Sequence, residues 1–144
     1  MGGARRDVGF DSKKSLALAL MILCDTNILI EFYRDNKDVS DALRVIGLPN
    51  LAVSVITVGE LYFGARDRRE LLKIKKHLAN LKQIPVDEEI SNLYLSLLES
   101  YSLSHRLNIP DALIAATALR YRLELYTLNV KDFRYIEGLA LFKP

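Results

Sequence analysis

Four apolar residues in a row, Met21-Ile22-Leu23-Cys24, stop abruptly at a carboxylate, Asp25, and Thr26-Asn27 follows. A short apolar run ended by polar residues suits a strand buried on both faces of a parallel sheet. Thr26 and Asn27 are cap-type residues, and Ile28–Arg34 then reads as a helix. A strand that hands over to a helix at an acidic residue points to an α/β architecture. It also puts Asp25 at the carboxyl end of a central strand, where open α/β sheets hold their ligands. From this stretch alone Asp25 has two readings. One is a metal-binding or catalytic aspartate; the other is an Asx-type cap between strand and helix.

The rest of the chain repeats the alternation. Asp38–Ile46 reads as a second helix, closed by the breaker sequence Gly47-Leu48-Pro49-Asn50. Leu51–Val53 is a short apolar strand, and Ser54 can cap a helix from Val55 to about Ala65. Arg66–Arg69 is a charged turn before a helix over Glu70–Leu81, whose Leu71, Ile74, Leu78 and Leu81 share a face. Gln83–Val86 is a third strand. Asp87–Arg106 carries Ile90, Leu93, Tyr94, Leu97, Leu98 and Tyr101 in unbroken helical spacing. Asn108-Ile109-Pro110 interrupts, and Pro110 starts a mostly apolar helix over Asp111–Arg122. Leu125–Leu128 is a fourth strand, Asn129–Tyr135 a turn, and Leu139–Phe142 a fifth strand. The expected fold is α/β: a doubly wound parallel sheet of four to five strands, with right-handed crossovers and helices on both faces.

A chain of 144 residues favours one domain. It can bury roughly 68–70% of its unfolded surface. The net charge of +2 permits a phosphate-bearing partner without demanding one. Cys24 is the single cysteine. It excludes an intrachain disulfide, makes a thiolate metal cluster improbable and favours a reducing, cytoplasmic setting. Arg5, Arg6, Lys13 and Lys14 before the apolar Leu16–Cys24 resemble a secretory signal. No small-residue cleavage site follows, and the run is too short to span a bilayer. Residues 1–20 are therefore expected to be a leader or upstream extension, with one domain over 21–144.

Charge against the local pattern marks the candidate site. Glu60 interrupts the apolar helix Val55-Ile56-Thr57-Val58-Gly59-Glu60-Leu61. It reads as functional or as half of an ordinary salt bridge. Asp111 lies in the first turn of a buried helix, where the helix dipole alone would favour an anion. Asn129 and Asp132 follow the fourth strand and read as turn residues or as part of a site. In a doubly wound sheet, positions after neighbouring strands converge on one edge. Two carboxylates about 4 Å apart repel by roughly 4 kcal/mol at an effective dielectric near 20. Such a cluster must take up protons or hold a cation. Oxygen ligands without His or Cys suit Mg²⁺ or Mn²⁺. A carboxylate cage around such ions suits cleavage of phosphodiesters.

Competing chemistries lack their residues. His77 and His105 have no His or Cys partner at ligand spacing and are expected on the surface. No nucleophile elbow, Walker loop or dinucleotide glycine motif is present. Cys24 is expected to be inert core. Thr26 either caps the helix or also lines the site. An acidic-pocket receiver domain would need paired acids after the first strand together with a Lys after the last, and this chain lacks that pattern.

Four motifs occur in order: Asp25-Thr26-Asn27, Thr57-x-x-Glu60-Leu61-x-x-Gly64, Pro110-Asp111 opening an Ala-rich helix, and Thr127-x-Asn129-x-x-Asp132-Phe133. From about Met21 to Phe142 the chain resembles the PIN domain, and more narrowly the VapC-type toxins of toxin–antitoxin pairs. The resemblance implies an endoribonuclease dependent on Mg²⁺ or Mn²⁺, with Asp25, Glu60 and Asp111 as metal-binding carboxylates. Many relatives carry an acid near the position of Asn129. Here that residue is an amide, and Asp132 is the nearest carboxylate. Asp132 is expected to be the fourth ligand, with Asn129 as a hydrogen-bonding neighbour and Thr26, Asn27 and Thr127 as auxiliary residues.

The resemblance further implies a homodimer and a small cognate VapB-like antitoxin whose tail covers the acidic site. Tyr62 and Phe63 are candidates for such interfaces, or simply core. Arg66, Arg68, Arg69, Lys73, Lys75 and Lys76 form the densest basic stretch, and Lys131 and Arg134 flank Asp132. These would contact RNA phosphates, or form a solvated face. The alternative function is a non-catalytic PIN-like module that binds RNA or protein. Three retained acids speak against it.

Overall fold

The computed structural model describes residues 20–144. The expected leader, apart from Leu20, lies outside the described residues. The strands are β1 (Ile22–Cys24), β2 (Leu51–Ser54), β3 (Lys82–Ile84) and β4 (Glu124–Tyr126). They form one sheet in the order β3-β2-β1-β4, with every pair parallel. The helices among the described residues are α1 (Thr26–Tyr33), α2 (Lys37–Ile46), α3 (Val55–Phe63), α4 (Arg68–Leu78), α5 (Glu88–His105) and α6 (Ile109–Tyr121).

Strand order decides where a ligand can sit. β1, β2 and β3 are laid down outward in one direction, and the chain then returns to place β4 on the free side of β1. The order reverses between β1 and β4. A crevice opens at the carboxyl ends of strands where the order reverses.

Alternation along each strand sends side chains to two cores. Leu23, Ala52, Ile84 and Leu125 join Ile90 and Leu97 of α5 and Ala112, Ala115 and Ala116 of α6 on one face. Cys24, Leu51, Val53 and Tyr126 join Ile28 and Leu29 of α1, Leu43 of α2, Leu61 of α3 and Ile74 of α4 on the other. Helices thus cover both faces, and the small alanines of α6 let it lie close on the sheet. The Cys24 thiol is fully buried, and burial pushes its pKa up to about 12, so it is inert core.

Each helix is opened by a side chain that satisfies an otherwise orphaned amide. Asp25, Asn36, Ser54, Asp67, Asp87 and Asn108 accept from the first turns of α1 to α6 in that order. Several element boundaries shift by one to three residues from the sequence reading, two of them because of capping. The cap of α1 is Asp25, not Thr26 or Asn27. The charged turn before α4 is a cap: Asp67 accepts the Glu70 amide at 2.8 Å, so the helix begins at Arg68.

The expected fifth strand reduces to a single parallel bridge from Leu125 to Leu141. The Leu125 amide donates to Ala140 and the Phe142 amide to Leu125, at 2.9 and 2.8 Å, and no ladder extends further. β3 ends before Pro85, which has no N–H to give. His77 is half-buried rather than on the surface. Its ring stacks on Phe32 with centroids 5.1 Å apart, and its Nδ1 lies 2.8 Å from the Tyr33 hydroxyl. Tyr62 packs against the second core, whereas Phe63 is 94% exposed.

Candidate active site

Asp25 is the first residue after β1 and is only 5% exposed. Both of its oxygens are occupied. Oδ1 accepts the Thr26 amide at 2.7 Å and Oδ2 accepts the Thr127 hydroxyl at 2.7 Å. Thr127 follows β4, so this bond spans the place where the strand order reverses. The cap reading of Asp25 holds through one oxygen, while the other oxygen reaches across the crevice to Thr127. Burial raises the Asp25 pKa, the bonds to Thr127 and Thr26 lower it, and the charges of Glu60 and Asp132 raise it further.

Glu60 comes to the same crevice from the middle of α3. Its Oε1 accepts the Thr26 hydroxyl at 2.7 Å. Thr57, fully buried on the same helix, lies 2.9 Å from the Thr26 oxygen. The Thr26 hydrogen is committed to Glu60, so Thr57 is the donor in that contact. Thr26 is thus a clamp on Glu60 rather than a helix cap.

Asp111 sits in the first turn of α6, where Asn108 accepts its amide at 2.9 Å. Its carboxyl is half-buried. Burial, then the charges of Asp25, Asp132 and Glu60, push its pKa from 3.8 up to about 6. Asp132 is exposed on a short 3-10 turn, Val130–Asp132, beyond β4. Its charge raises both Asp25 and Asp111, so it faces the same basin. Asn129 acts through its backbone. Its amide donates to Thr127 at 3.0 Å and its carbonyl accepts from Asp132 at 3.0 Å. Asn27 accepts the Leu128 amide at 3.4 Å, tying α1 to the same loop. Four acids from four separate places in the chain share one field.

The donor set is entirely oxygen, which fits a hard divalent cation, and the raised acids are what such a cation would relieve. Among the described residues, no three His, Cys, Asp or Glu side chains are gathered closely enough to hold an ion by themselves.

Two clefts flank the acids. The larger, about 670 Å³, runs from Glu60 past Tyr33, Arg34, Arg66 and Lys73. From the basic stretch singled out in sequence, it takes in Arg66 and Lys73, and Arg66 is already paired with Glu70 at 2.9 Å. The smaller, about 170 Å³, is lined by Asp111 and Asp132 together with His105, Arg106, Lys131 and Tyr135. Sequence reasoning missed the His105–Tyr135 pairing, because thirty residues of intervening chain hide it.

A model of the PIN domain matches residues 22–139. This chain belongs to the PIN domain family. Ribonuclease VapC10 of Mycobacterium tuberculosis is 37% identical over 123 residues, 83% of this chain and 90% of the relative. A toxin–antitoxin complex from Klebsiella pneumoniae contains a chain 34% identical, with a TM-score of 0.72, covering 83% of this chain and 95% of that one. VapBC2 from Rickettsia felis, bound to a DNA fragment from its promoter, gives 25% identity and a TM-score of 0.73. There the match covers 85% of this chain and 97% of that chain. No described helix of this PIN domain is long and apolar enough to cross a membrane.

Proposed function

We propose that this PIN domain is the ribonuclease toxin of a toxin–antitoxin pair, an endoribonuclease using Mg²⁺ or Mn²⁺ held by Asp25, Glu60, Asp111 and Asp132. The observation that carries this reading is the convergence of those four acids at the point where the strand order reverses. Similarity to a VapC ribonuclease and to chains of toxin–antitoxin complexes supports the reaction class.

A bound divalent cation would supply charge neutralisation at the scissile phosphate and activation of water. The chain's own residues do the rest. Thr127 and the Thr26 amide fix Asp25 in direction and oppose the rise that burial gives its pKa. Thr26 holds Glu60 against α1. Asp111, raised to about 6 without metal by burial and the neighbouring acids, is the carboxyl that a bound cation would relieve. Buried β1 and β4 form an apolar floor that keeps bulk water from below.

The proposed partner is a VapB-like antitoxin whose tail covers the acidic basin. Exposed Phe63 is an anchor for that contact or for a homodimer. The proposed setting is the cytoplasm, in keeping with a lone, buried thiol. The test is cleavage of labelled single-stranded RNA by purified protein with Mn²⁺ and with EDTA. Cleavage with the metal and none with the chelator is the expected result. No cleavage under either condition, with the fold intact, overturns the reading.

A further inference from the structure

The smaller cleft carries a feature that metal chemistry does not use. His105, the last residue of α5, stacks on Tyr135 with ring centroids 4.1 Å apart and planes 11° from parallel. Tyr101, one helical turn earlier, meets both rings edge-on, at 5.7 and 5.1 Å. The Tyr101 hydroxyl accepts the Glu137 amide at 3.2 Å, locking the loop that carries Tyr135. Ser104 lies 2.7 Å from His105 Nδ1 and fixes the turn of the imidazole. Arg106 then takes a left-handed backbone, φ 57°, so α5 ends sharply beside the cleft. Three rings are thus braced from behind, with one face of Tyr135 covered by His105. His105 itself is exposed. Tyr101 and Tyr135 pack against the first core, whereas the His105 ring lies outside it, exposed beside two carboxylates. Arg106 and Lys131 add positive charge to the same cleft.

Unpaired RNA bases are recognised by stacking on aromatic or imidazole rings, while nearby cations hold the phosphates. We propose that His105, backed by Tyr135, is the stacking platform for an unpaired RNA base beside the scissile phosphate, with Arg106 and Lys131 holding the flanking backbone. The proposal rests on the ribonuclease reading. It gives that reaction a preference for single-stranded RNA without any hydrogen-bond code.

The test uses full-length protein carrying Asp25→Asn, so that RNA stays intact, with Mg²⁺ present. Short single-stranded RNA containing 2-aminopurine is the probe, read by fluorescence quenching and by anisotropy. His105→Ala should remove the quenching and weaken binding roughly fivefold or more, the scale of one lost stack. His105→Phe should restore both, because it keeps the flat ring. In the otherwise wild-type chain, His105→Ala should raise KM and leave kcat nearly unchanged. Unchanged quenching and affinity in His105→Ala overturn the platform; continued RNA cleavage by wild type then leaves the ribonuclease reading standing. Restoration by His105→Lys but not by His105→Phe also overturns it, since charge rather than stacking would be at work. Absence of both RNA binding and wild-type cleavage overturns both.

Discussion

The Thr127 hydroxyl donates to Asp25 Oδ2 at 2.7 Å, joining residues 102 positions apart in the chain across the carboxyl ends of β1 and β4. Thr127 is buried, and its oxygen also accepts the Asn129 amide at 3.0 Å. Thr127→Val keeps the shape and removes the donor. At neutral pH the loss should be about 1.5–3 kcal/mol, the scale of a hydrogen bond to a charged group. The bond favours the carboxylate, so its contribution exists only where Asp25 is ionised. The difference from wild type should therefore shrink as pH falls through the raised Asp25 pKa. Urea denaturation at neutral and acid pH measures both.

Asp111 sets the sign of a second pH effect. Its carboxyl stands at about 6 in the folded protein against 3.8 for an unperturbed group. The folded state therefore binds the proton more tightly than the unfolded state. In metal-free protein this contribution is fully present below about 4 and is lost as pH rises through about 6. Asp111→Asn should flatten that decline and be the more stable protein at pH 7. The gain should be about 1 kcal/mol once solvent screening of a half-buried group is allowed for. Thermal unfolding in EDTA across this range is the measurement.

Divalent cations should reverse the same penalty. Mg²⁺ at about 100 times its Kd should stabilise wild type by about 2.7 kcal/mol. Asp25→Asn should show a much smaller gain, because a ligand is lost and the repulsion is already reduced. Unfolding temperatures with and without Mg²⁺ distinguish the two proteins.

The clamp on Glu60 predicts an effect on metal affinity without contact with metal. Thr26→Val removes the donor held 2.7 Å from Glu60. Stability should fall by about 1 kcal/mol. Mn²⁺ affinity should fall by about tenfold or more, as when a residue that orients a ligand is lost. Calorimetric titration reads the affinity directly, apart from any activity.

For catalysis, Asp25→Asn and Asp111→Asn should each lower RNA cleavage by about 100-fold or more while the fold persists. Gel assays with circular dichroism check both halves of that expectation. Normal cleavage by either variant would remove that residue from the mechanism.

The core strands and long helices were legible because their apolar patterns are local. The run ending at Asp25 and the 3,4 spacing of Ile90 to Tyr101 carry their own periodicity. Leu139–Phe142 has the composition of a strand, yet it reaches the sheet through one bridge, and composition cannot reveal how many ladder bonds a segment makes. The surface expectation for His77 fails because its partners Phe32 and Tyr33 lie on another helix, more than forty residues away. The acids could be picked out because each breaks its local pattern. That they act on one another depends on β4 pairing with β1, a choice that no short stretch encodes. Thr26 shows the limit most clearly: its residue type suits a cap, and only Glu60 on a distant helix gives it another task.

The return of the chain after β3 divides the basin evenly. Asp25 and Glu60 belong to the portion before Pro85, and Asp111 and Asp132 to the portion after it. Pro85 and Val86 are exposed, so a break there would open the backbone at the surface. Two polypeptides divided at that point would each bring half of the negative charge. RNA cutting by the mixed fragments would then read out whether the two halves of the basin reunite.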